Sequence, residues 1–144
     1  GGRPPIGETL GFQLVDAGDG WAAFEGVPGP EHYNPMGIVH GGYAATLLDS
    51  ACGIAAHSTL GPNRGYTTLE LKVSYLRGLS EDSGTVRATG RVVSAGRRVA
   101  FVEAELHDSS GRLCATATST LLLFDTEPPA GSLGSLESKP SFRS

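Results

Sequence analysis

The chain has 144 residues, a net charge of -4 and a charged fraction of 18%, which is one domain's worth of sequence. It carries no basic stripe and no block of like charge, so the composition argues against a nucleic-acid partner. The longest apolar stretch contains Asp49, His57 and two glycines, and no signal core precedes it; we therefore expect no membrane span and a cytoplasmic location.

The first part of the chain is predicted to form a hairpin and a loop. Residues 1–11 are rich in glycine and proline and are predicted to be an N-terminal extension. Residues 12–15 and 21–27 have the pattern of two short strands, separated by the turn sequence Ala17-Gly18-Asp19-Gly20. Residues 28–39 hold three prolines and two glycines, which favour a loop.

A long helix is predicted to begin at Gly41 or Gly42, to run toward Leu60 and to end at Gly61-Pro62-Asn63. It is apolar on nearly every side, so we expect it to be buried. One face differs, since small and polar residues recur along it at steps of four, three, four and four; this polar seam comprises Gly42, Thr46, Asp49, Gly53 and His57. A helical glycine costs about 1 kcal/mol relative to alanine, so Gly53 indicates that another backbone or a ligand comes close.

The second half of the chain is predicted to be a sheet. Residues from Tyr66 to Tyr75 alternate between apolar and polar, and residues 85–94, 99–107 and 112–124 are three more strand candidates forming an antiparallel meander. We predict one α+β domain over residues 12–124, with the sheet curled around the helix, and a disordered tail over residues 125–144. The sheet covers one side of the helix only, so the seam is expected to face a second copy in a homodimer or homotetramer.

One segment resembles a known family. Asn34-Pro35-Met36-Gly37-Ile38-Val39-His40-Gly41-Gly42, followed by Leu47-Leu48-Asp49, is similar to the acyl-CoA thioesterases of the hotdog fold, and most similar to the branch with the phenylacetate-pathway and 4-hydroxybenzoyl-CoA thioesterases. The resemblance extends over about residues 8–124, and the later sequences Tyr75-Leu76-Arg77 and Gly96-Arg97-Arg98 share it less specifically. It implies a hotdog fold and hydrolysis of an acyl-CoA.

The physical reading of the motif agrees with this activity. A helix that begins at two glycines presents unpaired N–H groups that no side chain shields, and one such donor to a developing oxyanion is worth about 10²- to 10³-fold in rate. The resemblance implies that the N–H of Gly41, rather than that of Gly42, polarises the thioester carbonyl. It also implies that Asp49 of the other subunit is the nucleophile or the general base. From the helix alone, Asp49 is equally well interpreted as a structural residue at a dimer seam.

Three further residues have a structural and a functional interpretation. His40 is better interpreted as a residue that hydrogen-bonds the loop at the helix start than as a base. Asn34 is a turn former by default, while the resemblance puts it near the thioester or the attacking water. Thr68, or failing it Thr67, corresponds to a hydroxyl that holds the water in some relatives, and is otherwise an ordinary strand threonine.

A coenzyme A site needs cations for the phosphates, and the candidates are Arg77, Arg97 and Arg98. Two glycines, Gly42 and Gly96, are candidate binding residues of the same site. No dinucleotide or phosphate-loop motif is present. Coenzyme A is part of the substrate, so we expect no separate cofactor. We also expect no metal, because His40 has no second ligand at metal spacing and the two cysteines are interpreted as packed thiols.

Two other functions are weighed against hydrolysis. An enoyl-thioester hydratase or dehydratase needs a histidine paired with a carboxylate, and His40 directly before the two glycines favours hydrolysis instead. A non-catalytic acyl-CoA sensor would usually carry a DNA-binding segment, which this acidic chain does not show.

Overall fold

The computed structural model describes residues 3–127. A short helix, α1 (Pro5–Leu10), lies in the N-terminal extension and precedes β1 (Phe12–Gly18) and β2 (Trp21–Gly26). The long helix α2 (Gly41–His57) comes next, followed by β3 (Arg64–Tyr75), β4 (Val86–Ala95), β5 (Val99–His107) and β6 (Leu113–Asp125). Single 3-10 turns lie at Pro30–His32 and Glu81–Ser83. The part of the predicted tail from residue 128 onward lies outside the described residues.

The six strands form one antiparallel sheet in the order β1-β2-β4-β5-β6-β3. The sheet wraps around α2, which confirms the predicted α+β hotdog fold and the β4-β5-β6 meander. The first hairpin is also confirmed: Gly18 pairs with Trp21, and Gly20 at the turn has φ +85°. Strand β3 pairs with β6 only and forms one edge of the sheet.

The helix lies close against the sheet because small residues line the contact. Four alanines of α2 are buried, with Leu47 and Leu48 fully enclosed beside them. A Cβ atom at Gly90 of β4 would stand only 2.6 Å from the carbonyl oxygen of Ala51, so only glycine permits this approach. The core is therefore built from a narrow helix resting on a curved sheet.

Two expectations for the helix need correction. It ends at His57 instead of near Leu60, because the hydroxyls of Ser58 and Thr59 bond to the last-turn carbonyls of Ala55 and Ala56 and divert the chain. The close neighbour of Gly53 among the described residues is a side chain, that of Tyr66, and not another backbone.

A Cβ at Gly53 would stand 2.6 Å from the ring of Tyr66 on β3. The polar seam is otherwise more open than a buried helix suggests. Asp49 and Thr46 are half-buried, and Gly42 and His57 are exposed. The seam is thus contacted by β3 at Asp49 and Gly53 and is accessible at Gly42 and His57.

Candidate active site

The start of α2 is capped by its own preceding histidine. His40 has the extended N-cap backbone (φ -59°, ψ 136°), and its Nδ1 accepts a hydrogen bond of 2.8 Å from the Gly42 N–H. A ring nitrogen that accepts in this way places the proton of the neutral imidazole on Nε2. No carboxylate in residues 3–127 of the same subunit bonds to His40.

The capping leaves one amide free. The Gly42 N–H is used by His40, whereas the Gly41 N–H has no hydrogen-bond partner among the described residues. On the other side of the residue, the Tyr75 hydroxyl donates to the Gly41 carbonyl oxygen at 2.7 Å. A Cβ at position 41 would stand 3.1 Å from the Tyr75 ring. The free donor therefore lies at the positive end of a helix, next to an aromatic side chain.

Asn34 organises the loop that leads to this helix. Its side-chain oxygen accepts from the N–H groups of Met36 and Ile38 at 2.9 and 3.3 Å. Its backbone N–H donates to the Ile38 oxygen at 2.7 Å, and Gly37 at the tip has φ +84°. The carboxamide oxygen is therefore engaged by the loop, and the side-chain NH₂ has no partner in residues 3–127. Asn34 combines the turn-forming role with a donor that is still available.

The loop, the helix start and the end of β3 border an open cavity of about 330 Å³. Asn34, His40, Gly41 and Tyr75 line it on the polar side, with Arg77 among the lining residues. Apolar side chains make up most of the remaining lining, among them Val39, Ala44, Leu79, Leu106 and Ala115. A largely apolar pocket with a few polar groups is the usual form of a small-molecule site.

Asp49 lies elsewhere on the helix, beside β3. The Thr68 hydroxyl donates to Asp49 Oδ1 at 2.8 Å. Thr67, the other candidate, is buried and 8% exposed, and strand alternation turns it to the opposite face. Burial, and second to it the negative charge of Asp49, raise the pKa of the neighbouring Tyr66 hydroxyl. Asp49 therefore accepts a hydrogen bond from the Thr68 hydroxyl, and a substrate or water molecule can approach it from the seam.

The arginines divide into two groups. Arg77 shares the cavity with Gly41 and also borders a second groove that contains Arg112. Gly96, Arg97 and Arg98 form the turn between β4 and β5, where the Arg64 guanidinium bonds to the Arg97 carbonyl at 2.9 Å. All three residues of this turn are exposed. Because Arg64 and Tyr75 are opposite ends of β3, Arg97 and Arg98 are at the far end of the subunit from Gly41.

The sequence predicted Asn34, His40, Gly41 and Arg77 as site residues, and the structure places all four along one cavity. Thr68 was predicted to hold the attacking water, whereas its hydroxyl bonds to Asp49 within one subunit. Sequence reasoning did not predict this bond. It missed the contact of Tyr75 with Gly41, for which the only signal was the position of Tyr75 at the end of a strand. Within residues 3–127, no three His, Cys, Asp or Glu side chains lie close enough together to hold a metal ion. No helix in that range is both long and apolar enough to cross a membrane.

Comparison with known proteins identifies a family. A sequence model described as the thioesterase superfamily matches residues 36–115, which is more than half of the chain and includes Gly41, Asp49, Thr68 and Arg77. A point mutant of the phenylacetic acid degradation protein PaaI from Thermus thermophilus has a similar structure, with a TM-score of 0.74 and 30% identity over 83% of this chain and 98% of that one.

Two curated relatives complete the comparison. The 1,4-dihydroxy-2-naphthoyl-CoA hydrolase of Listeria monocytogenes is 25% identical over 114 residues, or 79% of this chain and 91% of the relative. A Saccharolobus solfataricus protein named "putative esterase" is 35% identical over 88 residues, or 61% of this chain. That match spans 57% of the length of the relative.

Proposed function

We propose that this chain, which belongs to the thioesterase superfamily, is an enzyme whose substrate is an acyl-CoA. It hydrolyses this thioester to a free carboxylic acid and coenzyme A. The observation that carries the proposal is the free Gly41 N–H, which lines a largely apolar cavity at the positive end of α2. A thioester carbonyl oxygen docked there gains a hydrogen bond as negative charge develops on it.

The carboxylate of the reaction comes from a different subunit. Gly41 and Asp49 are eight residues apart on one helix, which is about 12 Å along the axis. An attacking group and an oxyanion donor must both lie about 3 Å from the same carbonyl group. Asp49 of one subunit therefore acts with Gly41 of another.

Strand β3 provides the surface for this dimer. It has an unpaired edge, on which Leu69 and Tyr75 are 58% and 55% exposed, and exposed edges of this kind readily pair with another strand. Within one subunit, Thr68 of β3 lies beside Asp49 and Tyr75 of β3 lies beside Gly41. A two-fold axis near Leu71 would exchange these two ends. Antiparallel pairing of two β3 strands thus brings each Asp49 toward the other subunit's Gly41.

The chemical step can follow either of two routes, in which Asp49 is a general base or a nucleophile. As a general base, Asp49 takes a proton from water while the water oxygen bonds to the thioester carbon, and the carbonyl electron pair moves to the oxygen at the Gly41 N–H. Collapse breaks the C–S bond, and the sulfur leaves with the proton from Asp49. As a nucleophile, an Asp49 oxygen bonds to the thioester carbon, the C–S bond breaks, and coenzyme A leaves as the thiolate. Water then cleaves the mixed anhydride to the free acid and Asp49, and the proton left on Asp49 goes to the thiolate. Thr68 orients Asp49 in both.

The same dimer gives the separated arginines a common role. Arg77 lies at the cavity of its own subunit. The two-fold axis places the Arg64 end of β3, with its turn of Arg97 and Arg98, beside that cavity from across the interface. Together these guanidinium groups bind the phosphates of coenzyme A.

A thiol-release assay tests the function. Short, medium, long and aromatic acyl-CoAs are offered to the wild type and to Asp49→Asn, which keeps the size of the side chain and the oxygen that accepts from Thr68. We expect release of coenzyme A from at least one substrate and loss of nearly all turnover in the variant, with the fold retained. Tight acyl-CoA binding by the wild type without any thiol release would replace hydrolysis by a binding role.

A further inference from the structure

The backbone at the start of α2 is held more firmly than two consecutive glycines would be on their own. Glycine has the freest backbone of any residue, yet the peptide joining Gly41 to Gly42 is fixed at both ends. Its oxygen accepts from the Tyr75 hydroxyl at 2.7 Å, and its N–H donates to His40 Nδ1 at 2.8 Å.

The preceding peptide, which carries the free Gly41 N–H, is fixed on its oxygen side. The His40 carbonyl accepts from the Tyr43 N–H at 3.0 Å. The direction of the Gly41 N–H is thus set by the helix on one side and by the Tyr75 and His40 contacts on the other. Of these partners, Tyr75 is the only side chain that comes from the sheet.

A side chain at position 41 or 42 would press against a neighbouring ring, which would have to shift by a few tenths of an ångström. A Cβ at Gly41 would stand 3.1 Å from the Tyr75 ring, and one at Gly42 would stand 3.0 Å from His40 Nδ1. The same glycines that let these side chains approach also give the backbone its freedom to tilt. The two side chains restrain that freedom.

We propose that Tyr75 is a positioning residue of the reaction, whose hydroxyl, through the Gly41 carbonyl, aims the free Gly41 N–H at the thioester oxygen. This inference rests on the proposed function. Tyr75 lines the cavity beside Gly41 but acts on the donor instead of on the reacting atoms. Burial raises the pKa of its hydroxyl, so the group stays a protonated donor at neutral pH.

Loss of the Tyr75 hydroxyl is expected to lower kcat and to leave KM nearly unchanged. An oxyanion donor acts most strongly in the transition state, and complete loss of one is worth about 10²- to 10³-fold. Without the Tyr75 hydroxyl the N–H is present but less well aimed, so a smaller loss, about tenfold in kcat, is expected with KM changed less than about twofold.

The test compares Tyr75→Phe with a matched control. The variant keeps the ring and removes only the hydroxyl. Thr59→Val removes another hydroxyl that donates to a carbonyl of the same helix, Ala56 at 2.8 Å, but at the opposite end. We expect kcat to fall about tenfold in Tyr75→Phe and to stay at the wild-type value in Thr59→Val.

An NMR measurement separates positioning from general stability. In ¹⁵N-labelled protein the Gly41 and Gly42 amide signals should shift in Tyr75→Phe and stay in place in Thr59→Val. Unchanged glycine signals, an unchanged kcat, or an effect confined to KM would each overturn the role of Tyr75. If the wild type releases no thiol from any acyl-CoA, the proposed function fails instead, and the NMR comparison still reports on the restraint of Gly41.

Discussion

The Thr68 hydroxyl donates a hydrogen bond to Asp49 Oδ1 across 2.8 Å, and this contact connects the middle of α2 to the edge strand of the sheet. Asp49 is half-buried, and its other oxygen has no hydrogen-bond partner in residues 3–127. The bond holds the carboxylate toward β3, the edge strand at which a second subunit would bring its glycine pair.

Replacing Thr68 by valine removes this hydroxyl at nearly constant shape. Hydrogen bonds to charged groups are stronger than neutral ones, so we expect kcat to fall about tenfold or more. Thr67→Val is the comparison, because Thr67 is buried on the opposite face of the strand. Steady-state kinetics of both variants decide between the two threonines; equal effects would contradict the assignment to Thr68.

The donor itself can be deleted by Gly41→Pro. Proline has no N–H and is favoured at the first position of a helix, and the His40 backbone (ψ 136°) is one that precedes proline without strain. We expect kcat to fall about 10²- to 10³-fold in a variant that still folds. Gly41→Ala keeps the N–H and adds a Cβ 3.1 Å from the Tyr75 ring.

In Gly41→Ala we expect a loss of only a few-fold, since the ring shifts but the donor stays. Circular dichroism and thermal unfolding check that both variants remain folded. Equal kinetic losses in alanine and proline would show that the added side chain matters and the N–H does not.

The turn between β5 and β6 predicts a pH dependence of stability. Asp108 accepts hydrogen bonds from the Ser110 hydroxyl, from the backbone N–H groups of Ser110 and Arg112, and from the Arg112 guanidinium. These contacts, the Ser110 hydroxyl first, lower the pKa of Asp108 to about 2. A lowered pKa means stabilisation above the ordinary carboxyl range that is lost as the pH falls toward 2.

Asp108→Asn should therefore have a lower Tm than the wild type at pH 6, and the two Tm values should converge between pH 4 and pH 2. Thermal unfolding monitored over this range provides the measurement. A Tm difference that stays constant down to pH 2 would show that the charge of Asp108 contributes nothing.

Both cysteines are expected to be unreactive in the folded protein. Cys52 is 0% and Cys114 1% exposed; burial raises the pKa of Cys52 to about 12, with Asp49 and Glu103 adding to it, and also raises that of Cys114. Only the thiolate reacts, so a disulfide reagent at pH 8 should label neither. Denaturant should expose the two thiols of the chain; rapid labelling of folded protein would contradict the packing.

The sequence predicted the parts of this molecule that local patterns control. The alternation of apolar and polar residues predicted the strands, and the small-residue steps predicted the polar seam. The turn sequence Ala17-Gly18-Asp19-Gly20 predicted the hairpin, although β1 continues to Gly18 and only Asp19 and Gly20 form the turn. The end of the helix was missed because Ser58 and Thr59 turn the chain with their own hydroxyls, before the glycine and proline signals are reached.

The missed contacts depend on which strands pair across the sheet. Tyr66 covers Gly53 and Tyr75 bonds to Gly41 because β3 lies at the edge beside β6, and no local spacing reveals that order. For the same reason the sequence did not predict that Arg97 lies far from Gly41 within one subunit. The assignment of Asp49 and Gly41 to different subunits needs both the helix length and the free edge of β3.

One measurement tests this shared site most directly: the activity of a purified heterodimer that joins an Asp49→Asn subunit to a Gly41→Pro subunit, isolated through two different affinity tags. Such a dimer has one site with an intact Asp49 and an intact Gly41 and one site that lacks both. We predict that it recovers about half of the wild-type activity, although each parent homodimer is nearly inactive. A heterodimer as inactive as its parents would contradict a site built from two subunits.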